Sequence, residues 1–128
     1  MKYYIEKTLD AKFDNAVELV KEALKNEGFG ILSEISVNET LKKKLDVDFR
    51  DYVILGACNP PLAHEALKAE DKIGTMLPCN VIVQSTKDGK SEVAAVDPYA
   101  SMQAVENEEL KDLAKTVRTK LDNVIKAL

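Results

Sequence analysis

The residues of this chain best suited to chemistry are its two cysteines and its single histidine. Cys58 and Cys79 provide thiols, and His64 lies between them in the sequence. Thiolates and imidazoles bind soft metal ions, so these three side chains could hold Zn²⁺ or Cu(I). Met76, three residues before Cys79, could add a thioether. The chain has no Cys-x-x-Cys or His-Glu-x-x-His motif, so the spacing specifies no particular metal centre.

Three other roles are open to the same residues. The two cysteines could form a redox pair if their sulfur atoms come within disulfide distance. Cys58 directly precedes a predicted helix, whose positive end favours a thiolate, so it could be a nucleophile with His64 as its base. Free cysteines are also among the most buried residue types, so both could simply pack in the core. The residues alone leave these alternatives open.

The segments that carry these residues predict a strand, a helix and a second strand. The apolar run Tyr52–Cys58 is typical of a central strand covered on both faces. Two prolines end this strand, and Asn59 can cap a helix over Pro60–Ala69 that carries the histidine near its start. Cys79 opens the next strand. If the two strands are antiparallel, both thiols lie at the same end of the sheet.

The rest of the chain supplies the elements of a two-layer fold. Alternating or helical spacing of apolar residues predicts strands over 3–9, 29–37 and 93–96 and helices over 13–24, 38–45 and 107–127. Gly28 is expected to end the first helix, and Asn38 to cap the second. The Asp88-Gly89 pair predicts a hairpin between the last two strands. Helices with one apolar side must cover a sheet, which predicts an α+β two-layer sandwich in a single domain, residues 1–128.

Composition and charge exclude some classes of partner. The net charge is −4, tryptophan is absent, and aromatic residues make up 5% of the chain. These features argue against a nucleic-acid-binding protein, which needs a basic surface or stacking aromatics. No segment approaches the roughly 20 apolar residues that span a bilayer. We therefore expect a cytoplasmic protein, in a compartment where thiols stay reduced, with no membrane partner.

Two longer motifs resemble a known protein family. They are Gly-Ala-Cys-Asn-Pro-Pro-Leu-Ala-His at 56–64 and Leu-Pro-Cys-Asn at 77–80, supported by Glu-Gly-Phe-Gly at 27–30. Together they resemble the family called domain of unknown function 302, along essentially the whole chain. Cys58, His64 and Cys79 all match the family's pattern.

The resemblance implies a fold similar to that of the TATA-binding protein. That fold has a curved antiparallel sheet of about five strands and a long C-terminal helix, and the helix over 60–69 would be an extra one between strands. The resemblance also implies a homodimer. It implies no established activity.

We therefore expect a small binding module. Its site would be a rim formed by Cys58, Asn59, His64 and Cys79, which would hold a soft metal ion or a small apolar ligand and would be sensitive to redox state. Zinc and copper are the candidate metals, with Cys58, His64 and Cys79 as ligands. One alternative is a thiol-dependent enzyme with Cys58 as nucleophile and His64 as base. Another is a dimeric scaffold protein without small-molecule chemistry.

Overall fold

The computed structural model describes residues 2–128 and contains five strands and five α-helices. The strands are β1 (Tyr4–Leu9), β2 (Gly30–Ser36), β3 (Tyr52–Cys58), β4 (Cys79–Ser85) and β5 (Ser91–Val96). The helices are α1 (Phe13–Asn26), α2 (Val37–Leu45), α3 (Pro60–Ala69), α4 (Pro98–Ser101) and α5 (Glu108–Lys126), with a 3₁₀ segment over Asp71–Met76. None of the helices in the described residues is long and apolar enough to cross a membrane.

The five strands form one antiparallel sheet in the order β1-β5-β4-β3-β2. Helices α1 and α5 pack on one face of this sheet, and their apolar stripes meet the inward side chains of the strands in the main core. Val20 and Leu24 of α1, Leu121 and Val124 of α5, and Leu55 at the centre of β3 are fully buried there. The predicted α+β two-layer sandwich with a long C-terminal helix is confirmed.

Several local signals act as the sequence predicts, and one does not. Gly28 follows α1 with a φ of +85°, a conformation that glycine adopts without steric cost. The Oδ1 atom of Asn59 accepts a hydrogen bond from the backbone N–H of Leu62 at 3.3 Å and so caps α3. The prediction that Asn38 caps α2 is wrong. Ser36 is the cap, and Asn38 instead accepts a hydrogen bond from the backbone N–H of Tyr52 at 3.1 Å.

Strand β2 contains a bulge at Leu32. Ile31 pairs with Ala57 and Ser33 pairs with Gly56, so Leu32 is an extra residue without a partner on β3. The period-two spacing of apolar residues in this strand predicts one continuous face. The bulge divides that face, because an extra residue shifts the alternation by one position. Ile31 consequently packs against the main core, whereas Ile35 is 47% exposed.

The buried apolar residues form two clusters because α5 is longer than the strands that it packs against. Nineteen helical residues extend about 28 Å, whereas the longest strands, of seven residues, extend about 23 Å. The C-terminal half of α5 covers the sheet, and its N-terminal half meets α3, the 3₁₀ segment and α4 instead. The second cluster consists of Ala66, Ile73, Met102, Leu110 and Ala114.

Candidate functional site

A cavity of about 350 Å³ lies where the two apolar clusters meet. Its walls come from the ends of β2, β3 and β4, from one side of α3, from the start of α4 and from the N-terminal half of α5. Phe29, Ala57 and Cys79 contribute from the main core, and Ala66, Leu110 and Ala114 contribute from the second cluster. This volume is at the lower end of the range of about 300–1,000 Å³ that is usual for small-molecule sites.

The lining of this cavity is almost entirely apolar. No Asp, Glu, Lys, Arg or His among the described residues contributes to its wall. Asn59 and the two cysteines are its polar side chains, and the Oδ1 atom of Asn59 is already engaged in the cap of α3. A charged ligand would lose part of its hydration here without gaining a partner charge, which is unfavourable. The cavity is therefore suited to a neutral, apolar molecule.

Cys79 and Cys58 both contribute to the wall, at the same end of the sheet as predicted. Cys79 is 8% exposed, and β4 pairs it with Ala57, the neighbour of Cys58 on β3. Burial, with a smaller effect from the nearby Cys58, raises the pKa of the Cys79 thiol to about 11. Cys79 is therefore protonated at neutral pH and acts as an apolar wall group rather than as a nucleophile.

The register of β3 and β4 does not favour a disulfide between the two cysteines. Both thiols are free. Cys79 pairs with Ala57, so Cys58 lies one residue beyond the partner of Cys79. Successive side chains of a strand point to opposite faces of the sheet. A disulfide requires Cβ atoms that approach each other, and this register does not place the two cysteines directly opposite one another.

The expected metal trio of Cys58, His64 and Cys79 is not assembled. Within residues 2–128, no three His, Cys, Asp or Glu side chains lie close enough together to hold a metal ion. His64 is exposed and does not line the cavity, because α3 turns other positions, such as Ala63 and Ala66, toward it.

Met76 also lies away from the predicted rim. It is 40% exposed, and it lines a smaller hollow on the other side of Cys79 rather than the main cavity. Of the residues named for the site from the sequence, the structure therefore brings Cys58, Asn59 and Cys79 to one cavity and leaves out His64.

The sequence reasoning missed two residues at the mouth of the cavity. Leu32 and Leu67 belong to its wall and yet are 67% and 43% exposed, so the opening lies beside the bulge of β2 and the outer side of α3. The sequence does carry one sign of the bulge, because Leu32 is apolar and Ser33 is polar, which interrupts the alternation at this point of the strand.

A second missed feature fixes the wall made by α4. The Oδ1 atom of Asp97 accepts hydrogen bonds from the backbone N–H groups of Tyr99 and Ala100 at 3.0 and 3.2 Å, which starts α4. The Oδ2 atom of Asp97 also accepts a hydrogen bond from Nε of Arg118 at 2.8 Å, and this ion pair joins α4 to α5.

These features define the class as a two-layer α+β sandwich with an apolar cavity beside its sheet. The chain belongs to the family described as Domain of unknown function DUF302, whose model matches residues 5–128. This confirms the resemblance found in the sequence. The chain is also similar to a solved structure described as the crystal structure of uncharacterized conserved protein DUF302 from Bacillus stearothermophilus. The two share 28% sequence identity, and the match covers 98% of each chain with a TM-score of 0.91. No curated protein matches the chain.

Proposed function

We propose that this protein binds a neutral, apolar small molecule in the cavity between the sheet, α3 and α5. The observation that supports this proposal is a cavity of about 350 Å³ with no charged side chain in its wall. Well-packed protein interiors contain few voids larger than a water molecule. A cavity of this size leaves the apolar wall without packing partners, and a bound ligand would supply them.

The state of Cys79 supports reversible rather than covalent binding. Its pKa of about 11 keeps the thiol protonated, and a protonated thiol is a poor nucleophile. The alternative of an enzyme with Cys58 as nucleophile and His64 as base remains a prediction. The exposed position of His64, outside the cavity wall, does not favour it.

A neutral fluorescent hydrophobe tests the proposal directly. N-phenyl-1-naphthylamine has about 17 non-hydrogen atoms, and a good fit would give each of them roughly 0.5 kcal/mol, which corresponds to a Kd near 1 μM. Titration of the purified protein should therefore raise the probe's fluorescence with saturation in the micromolar range. The anionic analogue 1-anilinonaphthalene-8-sulfonate, of similar shape, should bind at least tenfold more weakly, because the wall offers no positive charge. Absence of saturable binding of the neutral probe would refute the proposal.

We also propose that the protein is a cytoplasmic homodimer. The sheet face opposite α1 and α5 is not covered by a helix, and it carries half-buried apolar residues such as Tyr4, Tyr52 and Ile82. The ring of Phe49 lies 6.2 Å from that of Tyr52, and Phe49 is 40% exposed. Apolar surface of this kind is typical of association sites. Light scattering at micromolar concentration should give twice the chain mass of 14.2 kDa, and a monomer mass would refute this part of the proposal.

A further inference from the structure

One wall of the cavity is attached to the molecule differently from the others. The wall formed by β3 and β4 belongs to the sheet, and the wall formed by α4 is fixed by the Asp97–Arg118 ion pair. The wall formed by α3 and the 3₁₀ segment makes its main contacts with α5 rather than with a strand. The chain joins this segment to the sheet at its two ends, after Cys58 and before Cys79.

Asn107 makes the polar contact that fastens this segment to the rest of the structure. Its Nδ2 atom donates hydrogen bonds to the backbone carbonyl of Ala69 at 2.8 Å and to Oε1 of Glu70 at 3.5 Å. Ala69 is the last residue of α3, and helix-terminal carbonyls have no partner within their own helix. Within residues 2–128, the other side-chain hydrogen bonds and ion pairs of residues 59–76 join residues of that same segment.

The same side chain also caps α5. The Oδ1 atom of Asn107 accepts hydrogen bonds from the backbone N–H groups of Glu109 and Leu110 at 3.1 and 3.3 Å. Leu110 is part of the cavity wall. The amide of Asn107 thus has two separate functions. Its oxygen starts the helix that carries one wall, and its nitrogen holds the end of the helix that forms the opposite wall.

We propose that α3 and the 3₁₀ segment form a lid over the cavity and that Asn107 is the latch that holds the lid closed. This inference rests on the proposed ligand-binding function, because it concerns access to the same cavity. The exposed Leu67 lies on the outer side of α3 at the mouth, so a movement of α3 away from α5 widens the opening. The latch is a single side chain at the end of the lid, whereas Ile73 and Ala66 hold the lid by apolar packing.

The variant Asn107→Asp separates the two functions of this side chain. A carboxylate oxygen still accepts hydrogen bonds from the N–H groups of Glu109 and Leu110, and a negative charge is favourable at the start of a helix. It cannot donate to the carbonyl of Ala69. The double variant Asn107→Asp/Glu70→Ala removes the repulsion between two carboxylates and places no new donor opposite position 107, so it tests the loss of the Asn107 donor alone. Glu70→Ala is the matched control, because it removes only the longer hydrogen bond.

Hydrogen exchange followed by mass spectrometry measures the lid without any ligand. Loss of one hydrogen bond corresponds to about a fivefold to tenfold change in an opening equilibrium. We expect amides of residues 60–76 to exchange about fivefold to tenfold faster in both Asn107→Asp variants, with amides of α1 unchanged. Glu70→Ala should show less than a twofold change. Equal exchange of residues 60–76 in the wild type and both variants would overturn the lid and latch.

Stopped-flow binding of N-phenyl-1-naphthylamine connects the lid to access. Both the association and dissociation rates should rise severalfold in the Asn107→Asp variants, while Kd changes less than either rate. Unchanged rates would overturn the role of the latch in access even if the probe binds well. Failure of the wild type to bind the probe, together with faster exchange of residues 60–76 in the variants, would refute the proposed function and leave the lid supported.

Discussion

Filling the cavity with a larger side chain gives the sharpest test of its existence and of its function together. Ala114 on α5 is 3% exposed and lines the cavity, and Ala114→Leu adds three carbon atoms there. Each buried carbon contributes about 0.8 kcal/mol, and the ordering of a leucine side chain costs about 0.5–1 kcal/mol. We therefore expect the free energy of unfolding to rise by about 1–2 kcal/mol.

The matched control is the same substitution in the main core. Ala16 on α1 is fully buried and does not line the cavity. Ala16→Leu adds the same three carbons to a packed region, where overpacking costs about 1–3 kcal/mol. The two variants should therefore differ in stability by roughly 3 kcal/mol, with opposite signs relative to the wild type. Chemical denaturation measured by circular dichroism gives both values, and the thermal midpoints should differ in the same order.

The binding assay supplies the second half of this test. Ala114→Leu should weaken binding of N-phenyl-1-naphthylamine at least tenfold, because the leucine occupies space that the probe needs. Ala16→Leu, where it is folded, should leave Kd within about twofold of the wild type. If both variants lose similar stability and neither affects the probe, the cavity is not a site that can accept apolar atoms, and the reasoning is wrong.

Two further predictions concern the walls. Burial raises the pKa of the Cys79 thiol, so the folded state favours the protonated thiol more than the unfolded state does. This preference stabilises the folded state in full below pH 9, and the stabilisation is lost as the pH rises toward about 11. Denaturation of the wild type should show about 2–3 kcal/mol more loss over this range than Cys79→Ala, and parallel pH curves would contradict this. Asp97→Asn keeps an oxygen for the cap of α4 and loses the ion pair with Arg118, whereas Asp97→Ala loses both. Asp97→Ala should be about 1 kcal/mol less stable than Asp97→Asn, and equal stabilities would contradict a capping role.

The sequence predicted those elements whose signals are local. Proline at the start of α3, the cap at Asn59 and the Asp88-Gly89 turn each determine the backbone within a few residues. The predicted helix over 60–69 accordingly coincides with α3. The error at Asn38 has a non-local cause, because Ser36 caps the same turn while Asn38 accepts a hydrogen bond from Tyr52 of β3.

The site was only partly predictable because it depends on the positions of long helices and strands relative to each other. The placement of Cys58 and Cys79 at the same end of the sheet follows from antiparallel pairing and was predicted. The cavity follows from the projection of α5 beyond the sheet, which periodicity does not reveal, since Leu110 and Leu121 belong to one continuous stripe. The position of His64 depends on the rotation of α3 about its axis, and one residue changes that rotation by about 100°.

The bulge in β2 has a consequence for how this protein could vary in length. Because Leu32 has no partner on β3, its deletion would leave every other residue of the strand facing its present side. Deletion of Glu34, two residues later, would instead reverse the facing of the strand between the bulge and the deleted position or force the bulge to move. Deletion of the Leu32 codon would therefore remove a leucine from the mouth of the cavity and leave the pairing of β2 with β3 unchanged. The width of the opening can therefore change through the deletion or insertion of one residue at this point, as well as through substitution.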